Sequence, residues 1–238
     1  MEACQLYPLG DTAIVLSFGD SIDLAVHARV RAFAACLEAH PFEGLVEYVP
    51  AFTTVTVYYD PWVLSEKGKH KPYEKVTNLL LERLPQAEQY RQKQEPVVVE
   101  IPVCYGGELG PDLAFVAQHN QLSEEEVIAI HAAGEYTVYM IGFAPGFPYL
   151  GGMDARIATP RKETPRQRIP AGAVGIAGQQ TGVYPIETPG GWQLIGRTPL
   201  ALFDPQRQPP SLLQAGAVVK FIPIPAEAYW ASRKEGSR

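Results

Sequence analysis

The chain has 238 residues, 46% hydrophobic and 19% charged, with a formal net charge of −6 and a pI near 5.4. That length holds one large or two modest globular domains, and the acidic balance excludes a general nucleic-acid binder. Cys4, Cys36 and Cys104 form neither a CxxC pair nor a disulfide framework, the MEACQLYPLGD start lacks the layout of a secretion signal, and no apolar run reaches transmembrane length. A cytoplasmic protein with no membrane partner is expected.

In chain order, TAIVLSF (12–18) alternates and is β-branched, which predicts a strand. Asp20 and Ser21 offer an N-cap for a helix in which Leu24, Val30, Phe33, Ala34 and Leu37 recur at helical spacing, ended by Pro41 and Gly44. LVEYVP (45–50) and FTTVTVYY (52–59) predict two strands, the second closed by Asp60-Pro61. The polar SEKGKHK run leads to Pro72, a first-turn proline for a helix to about Arg91 with Val76, Leu79, Leu80 and Leu84 on one face. VVVEIPV (97–103) completes a β-α-β-β-α-β order, the pattern of a ferredoxin-like α+β domain. His27, His40 and His70 lack metal-ligand spacing and read as surface residues, so no metal is expected.

The texture changes at the QKQEP stretch, which places a domain junction near residue 95 and divides the chain into 1–95 and 96–238. Asp112 is positioned to cap a short helix through about His119, and Ser123 with Glu126 forms a capping-box signature for a helix ending near Gly134. His131 and Glu135, four residues apart near that helix end, read as a surface pair. The short β-like runs YTVYMIGF, AVGIAG, VYPIE, WQLIGRT, ALFD and AVVKFIPI follow, separated by Gly and Pro turns, as in a small β-barrel or sandwich.

Segment 142–198 holds 11 of the 21 glycines, together with Arg156, Arg161, Lys162, Arg166, Arg168 and Arg197 against only Asp154, Glu163 and Glu187. Arginine forks beside backbone unshielded by side chains suit a carboxylate or phosphate. Arg161, Arg166, Arg168, Gln179, Thr181 and Arg197 are the candidate anion ligands, and Phe143, Phe147, Tyr149, Tyr184 and Trp192 the candidate pocket wall or partner surface. The same segment has no His, Ser or Cys, which excludes a serine or cysteine nucleophile there. The chain has no GxxxxGK[ST], HExxH or GxSxG motif, and no side chain stands out as a catalytic base.

GFAPGFPYLGG, TPRKETPRQRIPAGAVGIAGQQTGVYP and PGGWQLIGRTP, with the N-terminal PLGD and VPAFTTVTVYYDP, resemble the KipI family, also called PxpB (the B subunit of 5-oxoprolinase) or allophanate hydrolase subunit 1. The resemblance spans nearly the whole chain. It implies an N-terminal α+β domain followed by a cyclophilin-like β-barrel. It also implies a protein, inactive alone, that acts with a homologous larger subunit (PxpC or KipA-like) and a PxpA-like subunit to cleave 5-oxoproline to L-glutamate, with ATP consumed by the complex. Two other roles are implied within the family: inhibition of a sporulation histidine kinase, and a carboxyltransferase or allophanate hydrolase subunit.

Overall fold

The computed structural model describes residues 4–91 and 96–235. The chain divides into two compact units on either side of residue 95, and the junction at 92–95 lies outside the described residues.

The first unit is a four-stranded antiparallel sheet with helices. Its strands β1 (Gln5–Pro8), β2 (Ala13–Ser17), β3 (Leu45–Pro50) and β4 (Thr54–Tyr59) lie in the order β1-β2-β4-β3. Helix α1 (Leu24–Ala39) and helix α3 (Pro72–Arg91) pack on each other, and a one-turn helix α2 (Pro61–Leu64) precedes α3. Ile14, Leu16, Val55 and Val57 from the sheet meet Val30, Phe33, Leu37, Val76 and Leu80 from the helices in one buried cluster. Burying each such side chain contributes about 1.5–3 kcal/mol, so this face holds the unit together.

Three expectations are corrected here. The fourth strand is Gln5–Pro8 at the sheet edge, not 97–103, which belongs to the other unit. A four-residue strand ending in proline is too short to show a period, and an edge tolerates the missing donor. The cap of α1 is Asp23, whose carboxylate accepts from Val26 N at 2.8 Å, while Ser21 Oγ donates to the other Asp23 oxygen and orients it. His27 is buried in α1 rather than exposed, whereas His40 bonds the Tyr90 hydroxyl and His70 faces Glu66.

The second unit is a seven-stranded sheet built from β5 (Val98–Tyr105), β6 (Tyr136–Ile141), β7 (Pro148–Gly151), β9 (Ala173–Ala177), β10 (Gln180–Val183), β12 (Gln193–Arg197) and β13 (Val218–Pro223). The order is β10-β9-β12-β5-β13-β6-β7, and the edge strands β10 and β7 lie beside each other, so the sheet curls into a nearly closed barrel. Only the β5–β13 pair is parallel. A separate ribbon pairs β8 (Arg166–Ile169) with β11 (Thr188–Gly190). Helices α4 (Leu113–Asn120), α5 (Glu124–Ala133) and α6 (Ala226–Glu235) complete the unit.

The barrel interior gathers Ile101, Val103, Val138, Val174, Ile176 and Phe221, with Val116 of α4 and Val127 of α5 packed on them. The capping box of α5 is present: Ser123 Oγ accepts from Glu126 N, and Glu126 Oε2 accepts from Ser123 N. Two of the short runs are not strands. VYPIE leaves the sheet after Val183, since Pro185 has no donor for a ladder, and ALFD makes only a single bridge from Phe203 to Ser211. That proline-dense loop is held instead by the Arg207 guanidinium, which donates to the carbonyls of Ala201, Leu202, Pro209 and Pro210.

Candidate anion-binding site

The turn after β5 is pressed onto β12. Gly106 N donates to Ile195 O at 3.0 Å and Asp112 N donates to Leu194 O at 2.8 Å. Gly110 makes this approach possible, because a Cβ there would collide with the Ile195 carbonyl and the Gly106 nitrogen. The docking puts the Asp112 carboxylate inside the unit, with 7% of its side chain exposed. Asp112 stands at the N-cap position of α4 as the local pattern predicts, but its side chain makes no capping bond there. One oxygen accepts from Leu194 N at 2.7 Å, and the other takes Arg166 Nη2 at 2.8 Å and Lys162 Nζ at 3.2 Å.

These contacts settle the charge on Asp112. Burial alone raises its pKa, but the bonds from Arg166, the Leu194 N–H and Lys162 outweigh it and hold the carboxyl below the usual range. An ionised, fully engaged carboxylate is a poor general base and a good clamp for two cations. One negative charge against two positive ones leaves a local surplus of one. Arg166 also keeps Nη1 buried without a hydrogen-bond partner among the described residues. Such an orphan donor is costly unless something accepts from it.

Arg161 adds to the surplus. It is exposed, has no hydrogen bond or ion pair among the described residues, and acts electrostatically on Tyr184. Burial pushes the Tyr184 hydroxyl up to about 12, with the Arg161 charge opposing that rise. Lys162 N donates to Gly191 O at 2.7 Å, which ties the cationic segment to the turn carrying Trp192. Gln193 Nε2 donates to Pro160 O at 2.9 Å and anchors the other end.

The aromatic residues separate into core and surface. Phe147 and Tyr184 are buried with Ile169, Ala173 and Leu194, so they form a small core rather than an exposed wall. Trp192 and Tyr149 are half-buried on its edge, Trp192 lying edge-on to both Phe147 and Tyr184. Phe143 alone stands out, 71% exposed, with its ring edge-on to Phe147 at 5.5 Å. It sits at the tip of a γ-turn, where Ala144 N donates to Gly142 O at 2.8 Å across a φ of +67°. That handedness is strained for any residue with a side chain.

The remaining candidates are dispersed. Arg166 and Arg168 lie in β8, not in a free loop. Arg168 is exposed and pairs with Glu187 at 2.9 Å, and Arg197 Nε donates to Ala171 O at 2.8 Å. Gln179 is exposed in the tight turn between β9 and β10. Thr181 is buried and its hydroxyl is engaged twice, donating to Gly175 O at 3.1 Å and lying 2.8 Å from His131 Nε2. It is therefore not available to an anion.

The Thr181 bonds also fix the histidine. Because the threonine proton goes to Gly175 O, His131 Nε2 must donate, and Nδ1 accepts from the Tyr105 hydroxyl at 2.8 Å. His131 is fully buried and stacks on Phe221, and burial holds its pKa down at about 3. It makes no surface pair with Glu135, which instead binds Lys220 at 2.7 Å. Among the described residues no group of three or more His, Cys, Asp or Glu is gathered to hold a metal ion, and no helix is long and apolar enough to cross a membrane.

Comparison with known proteins places this geometry in a family. Residues 4–213 match the family described as carboxyltransferase domain, subdomain C and D. The chain is 56% identical over 237 residues to the 5-oxoprolinase B subunit of Bacillus subtilis (strain 168), covering 98% of each. It is 43% identical over 225 residues to the 5-oxoprolinase B subunit of Escherichia coli O157:H7, covering 94% of this chain and 97% of that protein. The crystal structure of TTHA0988 matches 89% of this chain at 40% identity with a TM-score of 0.76, and the match spans 40% of that longer chain. On full-length identity and fold together, the chain belongs to the KipI/PxpB family of 5-oxoprolinase B subunits.

Proposed function

We propose that the chain is the B subunit of an ATP-dependent 5-oxoprolinase that opens 5-oxoproline to L-glutamate together with a homologous larger subunit and a third, PxpA-like subunit. The observation that carries this reading is the 56% identity to a 5-oxoprolinase B subunit over 98% of both chains. A match that spans 40% of the TTHA0988 chain supports a polypeptide that works as part of something larger. In this reading 1–95 is a ferredoxin-like α+β domain whose fourth strand comes from Gln5–Pro8, and 96–238 is a cyclophilin-like barrel.

The chemistry of the site fits a half-site. A lactam carboxylate and the phosphates of ATP are both anions, and Arg161, Lys162 and Arg166 offer them cationic charge, with the Arg161 guanidinium exposed. Asp112 is engaged by three donors and His131 is enclosed, so neither is placed to move a proton for substrate. Acid–base groups are then supplied by the partner subunits. The test is reconstitution: the chain alone shows no 5-oxoproline-dependent ATP hydrolysis, and the three-subunit mixture does. Arg161→Ala lowers kcat/KM in that mixture by about 10- to 100-fold, the range for a charge-assisted hydrogen bond. Turnover by the purified chain alone would overturn the assignment, and an Arg161→Ala complex as active as the parent would remove Arg161 from the site.

A further inference from the structure

Half of the lysines lie together in the first unit, outside every site described so far. Lys67, Lys69, Lys71 and Lys75 are four of the eight in the sequence, in a chain of net charge −6. Three of them, Lys67, Lys69 and Lys75, line a cavity of about 620 Å³ with Trp62, Phe42 and Leu79. That volume falls within the range of small-molecule sites, about 300–1,000 Å³.

The loop carrying these lysines is tied to the tryptophan. Glu66, Lys67 and Gly68 are consecutively left-handed, with φ of +52°, +64° and +86°. Residues with side chains rarely take that conformation, and here a set of bonds enforces it. Lys67 N donates to Trp62 O, Ser65 Oγ donates to Trp62 O, and Gly68 N donates to Ser65 Oγ. Trp62 is nevertheless 62% exposed, on a one-turn helix fixed by Asp60.

The cavity carboxylates only partly neutralise it. Glu66 and Glu43 both line it, and Glu66 is already taken by Lys75 at 2.7 Å with His70 at 3.5 Å. Among the described residues the Lys67 and Lys69 ammonium groups make no hydrogen bond or ion pair, which leaves both beside an open indole. A solvated lysine loop needs no tryptophan beside it, and a simple inorganic anion has no use for one. A flat aromatic face with adjacent ammonium groups matches a base joined to phosphates.

The geometry points to a nucleoside polyphosphate site in the first unit, with the base on Trp62 and the phosphates on Lys67 and Lys69. It deepens the proposed oxoprolinase role and rests on that reading only in taking ATP as the nucleotide.

The test is calorimetric titration of the purified chain at low salt with magnesium ATP, tripolyphosphate and adenosine. ATP binds with a Kd below about 1 mM and more tightly than either fragment. Trp62→Leu weakens ATP about tenfold and leaves tripolyphosphate unchanged. Lys67→Asn with Lys69→Gln weakens both about tenfold, asparagine being chosen because it tolerates the left-handed backbone. Arg156→Gln, in the second unit, changes neither. Circular dichroism and Tm confirm that each variant is folded.

No ATP binding, or equal affinity for ATP and tripolyphosphate with no response to Trp62→Leu, overturns the proposal. So do lysine variants that keep ATP affinity but no longer join the larger subunit, since the patch then reads an acidic protein surface. The reconstituted complex separates the two ideas. Turnover without ATP binding to this chain removes only the nucleotide site, and ATP binding without turnover removes only the oxoprolinase reading.

Discussion

Asp112 offers the sharpest test of how the second unit is held together. Asp112→Ala leaves the Leu194 N–H, Arg166 and Lys162 without their shared acceptor. Removing one partner from a buried ionic cluster costs about 3–5 kcal/mol. The Lys162 and Arg166 side chains are 32% and 26% exposed, so solvent recovers part of the loss and the lower figure, about 3 kcal/mol, is expected. Urea unfolding in a Trp62→Phe background confines tryptophan fluorescence to Trp192 and Trp230, both in the second unit. With m of about 2 kcal/mol/M, the midpoint falls by about 1.5 M at unchanged m. Asp112→Ala combined with Arg166→Met is less damaging than the two single losses added, because the stranded cation has gone. The Asp112 contribution is intact above the unfolded carboxylate pKa of about 3.8 and is lost as pH falls through its lowered folded value. A loss under about 1 kcal/mol, or strict additivity in the double variant, would refute the reasoning.

Two further outcomes are expected. His131 stays neutral in the fold, its pKa held at about 3, while the unfolded chain takes up a proton below about pH 6.5. Stability therefore falls as pH drops from 6.5 toward 3, by about 1.4 kcal/mol per pH unit from this residue, and thermal melts of His131→Gln show a correspondingly flatter acid limb. An equally steep limb in the variant counts against it. Phe143→Gly removes the strain of a φ at +67°, so stability holds or rises by up to about 1 kcal/mol, while association with the larger subunit weakens at least about tenfold. A lower Tm, or unchanged association, shows that the exposed ring has the opposite role.

What the chain discloses in sequence is what neighbours along it decide. The Ser123/Glu126 box and the first-turn Pro72 are built from residues within one turn, and both stand in the structure as read. The strand at Thr54–Tyr59 follows its alternating period, and Tyr136–Ile141 and Val218–Pro223 fall within apolar runs of the sequence. Asp112 was legible only as a cap, because its donors come from 50, 54 and 82 residues away and no local spacing announces them. Thr181 and His131 likewise meet across 50 residues. Phe143 and Phe147 are equivalent in the GFAPGFPYL string. The γ-turn decides that one ring goes out and the other in, and the only signal for it was a Gly/Pro scaffold unable to form a helix.

The parallel pair at the centre of the barrel bears on how the molecule is made. Strand β5 opens the second unit, yet one of its neighbours is β13, with Val98 opposite Val218. The middle of the sheet is thus the last part a ribosome can supply, roughly 120 residues after β5 has emerged, and pairing so distant in sequence is slow. During that interval β5 presents an unpaired edge rich in valine, a standing invitation to aggregate. The first unit draws all four of its strands from its first 59 residues and is under no such delay. Production of this protein should accordingly be limited by the barrel, with slower synthesis and lower temperature improving the soluble yield.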